Sequence, residues 1–419
     1  MKQQMMKCAG ESKDVLEKLI KWLFLAVLTG IIIGGVGTLF AFSITKATAF
    51  RQKNPYIVCF LPFAGLVVAG CYFLLGNEND KGTNLVLSAI HAGEEVPFKM
   101  APLIFVSTVI THLFGGSAGR EGAALQLGGS IGNQLGKMLH LDESDKHVMI
   151  MCGMSAAFSA LFGTPAAAAI FAMEVVSVGV MYYAALVPCV FSALVASHVA
   201  VCFGVHPEHF QITYIPELTL LNAVKMIVLA LACAMASILF CIAMHKAGAF
   251  FRTYIKNPYL RIFAGGTAVV LLAWLLGTGD YLGAGMQVVD RAMKGEVVWY
   301  AFLAKIVFTS LTLGTGYKGG EIVPSFFVGA TLGCLVGKLI GLSPSLCAAS
   351  GMVALFCGVT NCPVTSLLIA FELFGFEGLS YFLIAVSISY LMSGYYGLYE
   401  EQSIVYSKYK AKYINRKTR

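Results

Sequence analysis

Two stretches decide how this 419-residue chain folds: GSAGREGAAL at residues 116–125 and GYKGGEIVPSF at residues 316–326. Each places a glutamate, Glu121 or Glu321, beside glycines, after one long apolar segment and before the next. A carboxylate at membrane depth costs roughly 2.5–3.5 kcal/mol or more, so it usually faces a cavity or a pathway. Two such groups in equivalent settings therefore indicate movement of ions or protons.

The composition is that of a membrane protein. Hydrophobic residues make up 58% of the chain and charged residues only 12%, which is far from a soluble domain. Apolar runs approach the roughly 20 residues that cross a hydrocarbon core, and they lack the alternation of a β-barrel. These runs are residues 22–43, 57–75, 101–114, 182–205, 224–244, 262–276 and 378–392. The stretches 165–178 and 322–340 contain glycine or proline and predict re-entrant or discontinuous helices. The sequence thus predicts an all-α polytopic fold in a lipid bilayer.

The net charge of +7 does not indicate nucleic acid, because the basic residues gather at the chain ends and in loops. Those at the ends are Lys2, Lys7, Lys13, Lys18, Lys21, Lys408, Lys410, Lys412, Arg416, Lys417 and Arg419. By the positive-inside rule both termini are predicted to be cytoplasmic, in a multi-pass protein of the inner (plasma) membrane. A solvated charged tail without topological meaning is the alternative. The first apolar span lacks a convincing signal-peptide cleavage site, which predicts that it is retained as a transmembrane helix.

The two halves of the chain carry the same motifs in the same order. Residues 53–56 (KNPY) recur at 256–259, 82–86 (GTNLV) resemble 285–289 (GMQVV), 119–121 (GRE) match 319–321 (GGE), and 154–174 match 352–372, which aligns Pro165 with Pro363. Paired repeats are typical of transporters. They predict a cytoplasmic segment at 1–21, membrane repeats at 22–210 and 211–407, and a basic cytoplasmic tail at 408–419, with no regulatory soluble domain.

Glycine-rich turns at residues 82–84, 115–119, 283–285 and 314–320 come directly before apolar helices. A helix N-terminus presents unpaired N–H groups and about half a positive charge, so several converging ends form an anion site. Close helix packing is the alternative for any single glycine. The twelve cysteines are scattered and no Cys/His set has ligand spacing. Neither a metal site nor a cofactor is therefore predicted.

Four segments resemble signatures of the CLC family of anion channels and anion/proton antiporters. They are GSAGREG at 116–122, TPAAAAIFAMEV at 164–175, GGEIVPSFFVGA at 319–330 and CPVTSLLIAFEL at 362–373. The resemblance covers about residues 22–410. It implies two inverted-topology repeats of tilted, often broken helices, and a homodimer with one anion pathway in each protomer.

The resemblance also implies roles for particular residues. Glu121 corresponds to the gating glutamate, whose carboxylate competes with the anion and carries the proton. The implied anion pathway comprises Gly82, Thr83, Asn84, Gly119, Arg120, Gly122, Glu321, Ile322, Val323 and Tyr399. Of these, Ile322 and Val323 offer backbone amides and Tyr399 offers its hydroxyl. For Tyr399 an interfacial aromatic anchor is the alternative.

Departures from the chloride branch of that family favour fluoride. Glu321-Ile322 stands where the chloride branch carries Ile-Phe, and Val175 stands where its antiporters carry a second acid. A glutamate at position 321 resembles the fluoride/proton antiporter branch, although Thr83 stands where that branch often has methionine. A protonated carboxyl can donate to fluoride, and two acids near one pathway titrate as a coupled set.

The sequence therefore predicts a fluoride/proton antiporter, with a chloride/proton exchanger or chloride channel as the alternative. Glu174 and Glu372 end matching helices, where structural hydrogen bonding is the favoured role. A membrane-embedded enzyme is disfavoured because no paired Asp, Ser/His or HExxH element lies on the apolar helices.

Overall fold

The computed structural model describes residues 2–77 and 80–418, with side chains described from residue 13 onward in these ranges. The first half of the described chain forms α1 (Lys2–Lys53), α2 (Leu61–Leu74), α3 (Thr83–Ala92), α4 (Met100–Leu113), α5 (Glu121–Met138), α6 (Glu143–Phe162), α7 (Pro165–Glu174) and α8 (Leu186–Cys202). The second half forms α9 (Leu220–Tyr254), α10 (Pro258–Leu276), α11 (Met286–Met293), α12 (Ala301–Gly314), α13 (Ile322–Ile340), α14 (Pro344–Thr360), α15 (Pro363–Phe374) and α16 (Leu379–Met392). Short 3₁₀ turns lie at Pro55–Phe60 and Tyr183–Ala185.

The two sets of eight helices match one to one, in agreement with the predicted repeat. The aligned prolines Pro165 and Pro363 open α7 and α15, where a proline in the first turn removes no helical hydrogen bond. An extended segment at 205–218 joins the two sets, near the predicted boundary at 210/211. The predicted boundary at 21/22 instead falls inside α1, which runs without a break through both segments.

Six helical segments within the described residues are long and apolar enough to cross a membrane. Shorter apolar helices of 10–17 residues accompany them, as the prediction of discontinuous helices requires. Residues 165–174 form one of these short helices, whereas 322–340 is one unbroken 19-residue helix. The prediction of a break at 322–340 was wrong because Pro324 lies in the first turn, where proline is tolerated.

Two glutamates hold α7 and α15 together by a reciprocal exchange of hydrogen bonds. The Glu174 carboxylate, at the end of α7, accepts from the Val364 and Thr365 amides at 3.0 and 2.8 Å. The Glu372 carboxylate accepts from the Ala166 and Ala167 amides at the start of α7, both at 2.9 Å. Each helix end thus caps the beginning of its partner. The structural role predicted for both glutamates is consistent with this geometry.

Glycine stripes bring the central helices of each repeat into backbone contact. On α5 the stripe is Gly128, Gly132 and Gly136, and on α13 it is Gly329, Gly333 and Gly337. A Cβ at Gly128 would lie 2.1 Å from the carbonyl oxygen of Gly153 on α6, a contact that no side chain tolerates. Small residues at this spacing are the usual means of close helix approach in membranes. Packing therefore accounts for these glycines.

Gly128→Ala is expected to lower the unfolding temperature of the detergent-solubilised protein or to prevent its folding. The added methyl group overpacks the α5–α6 contact, which typically costs about 1–3 kcal/mol and occasionally more. Gly35→Ala on α1 is the matched control, since nothing lies within 4 Å of its added Cβ. That control should be neutral or slightly stabilising. Equal unfolding temperatures for the two variants would contradict this account of the helix contact.

Three short strands, which the sequence did not predict, form a small sheet. They are β1 (Ser177–Val178), β2 (Ser403–Tyr406) and β3 (Tyr413–Lys417), with β2 parallel to β1 and antiparallel to β3. The Lys408 ammonium is half-buried and donates to Asn361 at 2.5 Å and to the Tyr390 carbonyl at 3.0 Å. The segment predicted as a basic tail is therefore attached to the helices through Lys408, while residues 409–413 are exposed. Arg419 and the side chains of Lys2 and Lys7 lie outside the described residues.

Candidate functional site

The two glutamate-bearing turns of the repeats meet at the centre of the molecule. Gly119 and Gly320 exchange both backbone hydrogen bonds across the repeat interface, with N–O distances of 2.6 and 2.7 Å. The helices α5 and α13 begin immediately after these glycines. A Cβ at Gly320 would lie 2.5 Å from the Gly122 amide nitrogen, so only glycine permits this approach. The contact places two helix N-termini side by side.

Glu121 opens α5, and its side chain is buried. One carboxylate oxygen accepts from the Arg120 backbone amide at 3.1 Å, and the other accepts from Arg120 Nε at 3.2 Å. The guanidinium also donates to Glu208 at 3.0 Å and to the Leu161 carbonyl at 3.2 Å. Arg120 therefore binds Glu121 on one side and the segment between the repeats on the other.

A cavity of about 770 Å³ reaches this carboxylate. Its lining includes Arg120, Glu121 and Glu208 together with the end of α1 and the loop before α11. Because α5 and α13 also border it through Glu121 and Val323, the cavity ends at the meeting point of the two repeats. The buried Glu121 carboxyl group therefore borders this cavity, called the vestibule below.

The first predicted turn, residues 82–84, packs against the start of α5. Gly82 has a φ of +61°, a conformation that glycine adopts without strain. The buried Thr83 hydroxyl accepts from Gln126 Nε2 at 3.2 Å and lies 3.4 Å from the Gly122 carbonyl. The Asn84 side-chain oxygen accepts from the Glu401 amide at 3.2 Å. This turn therefore links the α3 N-terminus to α5 and to the segment that carries Tyr399.

The α13 N-terminus contributes Glu321, Ile322 and Val323. A Cβ at Gly122 would lie 2.9 Å from Glu321 Oε2, so the Glu321 carboxyl group covers the first turn of α5. The amides of Ile322 and Val323 precede the helical hydrogen-bond pattern, and Pro324 follows with no N–H at all. These two amides are the donors that α13 offers at the junction.

Tyr399 completes the cluster from the C-terminal segment. Its side chain is buried, and its hydroxyl forms no hydrogen bond of normal geometry within the described residues. Glu321 is near enough to interact with this hydroxyl electrostatically. The Thr418 hydroxyl donates to the Tyr399 carbonyl at 2.6 Å, so the C-terminal sheet region fixes the tyrosine backbone. An unpaired buried donor beside a carboxyl group is a feature that calls for a functional explanation.

Known proteins are similar to this chain in sequence and in fold. The family model described as voltage gated chloride channel matches residues 64–394. A protein of Pseudomonas syringae named chloride/fluoride channel protein is 38% identical over 406 residues, 95% of this chain and 90% of its own length. The chain belongs to the voltage-gated chloride channel family.

Solved structures of this family have the same fold. The crystal structure of a CLC-type fluoride/proton antiporter superposes with a TM-score of 0.88 at 34% identity, covering 92% of this chain and 98% of that one. A slow cyanobacterial Cl⁻/H⁺ antiporter superposes with a TM-score of 0.74 at 17% identity, over 89% and 94% of the two chains. An H⁺/Cl⁻ exchange transporter of Vibrio cholerae is 24% identical over 84% of this chain and 81% of its own length. The CLC-type fold of inverted repeats, predicted from the motifs, is confirmed.

In the folded chain, the predicted pathway residues lie in one cluster. The contacts described above connect residues 82–84, 119–122 and 321–323 with Tyr399. The sequence did not single out Glu208, Gln126 or the ion pair of Asp80 with Lys318. Glu208 lies in the polar HPEH loop and Asp80 lies in the polar stretch before Gly82. The sequence of these loops does not show which distant residue each side chain contacts.

Proposed function

We propose that this protein is an integral membrane antiporter that exports fluoride in exchange for protons. The observation that carries the proposal is the position of Glu321, whose carboxyl group covers Gly122 at the junction of α5 and α13 and lies near the Tyr399 hydroxyl. Both the relative whose name includes fluoride and the structural neighbour that exchanges fluoride for protons support it.

The anion is proposed to bind where the N-termini of α3, α5 and α13 converge. Fluoride holds its hydration water tightly, so the pathway must replace that water with hydrogen-bond donors. The amides of Ile322 and Val323, the Tyr399 hydroxyl and a protonated Glu321 provide donors of this kind. Helix N-termini add partial positive charge without a fixed cation.

Glu121 is proposed to act as both gate and proton carrier. As a carboxylate it occupies the α5 N-terminus and binds Arg120, so it competes with an anion for the same positive end. When it takes a proton from the vestibule, its attraction to Arg120 falls and the site becomes available to the anion. Exchange follows because the proton and the anion use the same position alternately.

Topology and assembly belong to the same proposal. The basic residues at both ends favour cytoplasmic termini in an inner membrane. The family resemblance supports a homodimer with one pathway in each protomer. The protein is proposed to transport ions without catalysing a reaction, and its partners are the anion, protons and the lipid bilayer.

Efflux from proteoliposomes loaded with both fluoride and chloride tests the choice of anion. Ion-selective electrodes are expected to record fluoride efflux at least tenfold faster than chloride efflux, because a lost hydrogen bond to a charged ligand costs roughly 1.5–3 kcal/mol. Chloride efflux as fast as fluoride efflux would support the chloride exchanger named in other relatives. The same vesicles without protein give the background leak.

A further inference from the structure

A partly buried ion pair, with the Lys318 side chain 21% exposed, joins the two turns that flank the proposed anion site. The Lys318 ammonium donates to one Asp80 carboxylate oxygen at 2.7 Å, and the Asp80 side chain is only 1% exposed. The other Asp80 oxygen accepts from the Gly82 amide at 3.1 Å. The ammonium also lies 4.2 Å from the centre of the Tyr72 ring. The pair is therefore held by polar contacts on both sides and by an aromatic face.

The pair connects two turns, one from each repeat, that border the proposed anion pathway. Asp80 lies two residues before Gly82, at the start of the turn that opens α3. Lys318 lies three residues before Glu321, in the turn that opens α13. The two residues are 238 positions apart in the chain, so only the folded protein brings these turns together.

We infer that Asp80 and Lys318 form a specificity-determining positioning pair, in which Asp80 prevents the Lys318 ammonium from acting as a fixed-charge anion ligand. This inference rests on the proposed anion pathway. Because Asp80 balances the Lys318 charge, selection among anions depends on neutral hydrogen-bond donors and on the protonated carboxyl groups. A free ammonium would hold any anion by charge alone and would reduce discrimination in favour of a good hydrogen-bond acceptor.

A role limited to stability makes a different prediction from a role in charge balance. Removing either partner of a purely structural pair disturbs the same contact, so both variants should change transport in the same direction. For a charge-balancing pair, Asp80→Asn releases a positive charge, whereas Lys318→Gln releases a negative one. The two substitutions should therefore change the KM for the anion in opposite directions.

The experiment measures initial anion efflux against internal anion concentration in proteoliposomes. Asp80→Asn is expected to lower KM and the maximal rate, each by about tenfold, and Lys318→Gln is expected to raise KM by about tenfold. At an effective dielectric constant of about 20, a unit charge about 12 Å from an anion changes its binding constant by about tenfold. The exchanged pair Asp80→Lys/Lys318→Asp should return KM toward the wild-type value. Lys81→Gln is the control, because Lys81 forms an exposed pair with Glu94 at 2.9 Å.

The outcomes separate this inference from the proposed function. Equal directions of the KM change in Asp80→Asn and Lys318→Gln, or wild-type KM values in both, overturn the inference even when the wild-type protein transports fluoride. If the wild-type protein instead prefers chloride, the fluoride proposal fails. The inference about Asp80 and Lys318 is then tested by the same KM comparison, measured with chloride. Should Asp80→Asn fail to fold, Lys318→Gln and the exchanged pair decide, and an unchanged KM in Lys318→Gln contradicts the inference.

Discussion

Glu121→Gln is expected to abolish proton movement driven by a fluoride gradient, reducing it to the leak of protein-free vesicles. Glutamine has the size of glutamate and preserves a polar contact to Arg120, but it can neither gain nor lose a proton. It also lacks the negative charge with which Glu121 competes for the α5 N-terminus. A pH electrode outside fluoride-loaded proteoliposomes measures the effect, and a fluoride electrode records the anion flux in parallel.

Glu143→Gln is the matched control for this substitution. Glu143 pairs with Lys146 at 2.7 Å on the surface, with its side chain 77% exposed. Such exposed pairs contribute about 0–1 kcal/mol, so proton coupling and folding should remain as in the wild type. Wild-type proton uptake by Glu121→Gln would remove Glu121 from the transport mechanism.

Glu321→Ile is expected to reverse the anion preference by lowering fluoride flux more than chloride flux. The substitution installs the residue that the chloride branch carries and deletes the carboxyl group that covers Gly122 and lies near the Tyr399 hydroxyl. Loss of a hydrogen bond to a charged ligand costs roughly 1.5–3 kcal/mol, which corresponds to about a ten- to hundredfold loss in fluoride rate. Chloride, which holds its water less tightly, should lose little.

Glu321→Gln separates hydrogen bonding from size at the same position. Its amide can still donate to fluoride, so its fluoride rate should exceed that of Glu321→Ile while its proton dependence changes. Glu377→Gln, on the exposed loop after α15, is the control for removal of a glutamate elsewhere. An unchanged ratio of fluoride to chloride flux in Glu321→Ile would show that selectivity arises elsewhere.

The sequence predicted the repeat because duplicated motifs preserve local chemistry. Pro165 and Pro363 mark equivalent helix starts, and the GRE and GGE turns mark the two central helices, all of which depend on residues near in the chain. The short helix at 165–174 followed from the same local signals. The unbroken helix at 322–340 was not predicted. A proline such as Pro324 indicates a break in a helix unless it is known to lie in the first turn.

Contacts between distant segments could not be predicted from one sequence. Arg120 meets Glu208 across 88 residues, and the Thr418 hydroxyl reaches the Tyr399 carbonyl because β3 folds back on β2. The many basic residues at 408–419 indicate a solvated tail. Lys408 nevertheless donates hydrogen bonds to Asn361 and to the Tyr390 carbonyl, near the ends of α14 and α16. In each of these cases the partner is selected by the tertiary fold and not by spacing along the chain.

Proton coupling of the unmodified protein tests the central claim most directly. Vesicles loaded with fluoride, placed in fluoride-free buffer at equal pH with the membrane potential clamped by a potassium ionophore, provide only the anion gradient as a driving force. Exchange predicts that protons enter the vesicles as fluoride leaves, so the external buffer becomes more alkaline. Rapid fluoride efflux with no change in external pH would contradict antiport and identify the protein as a channel.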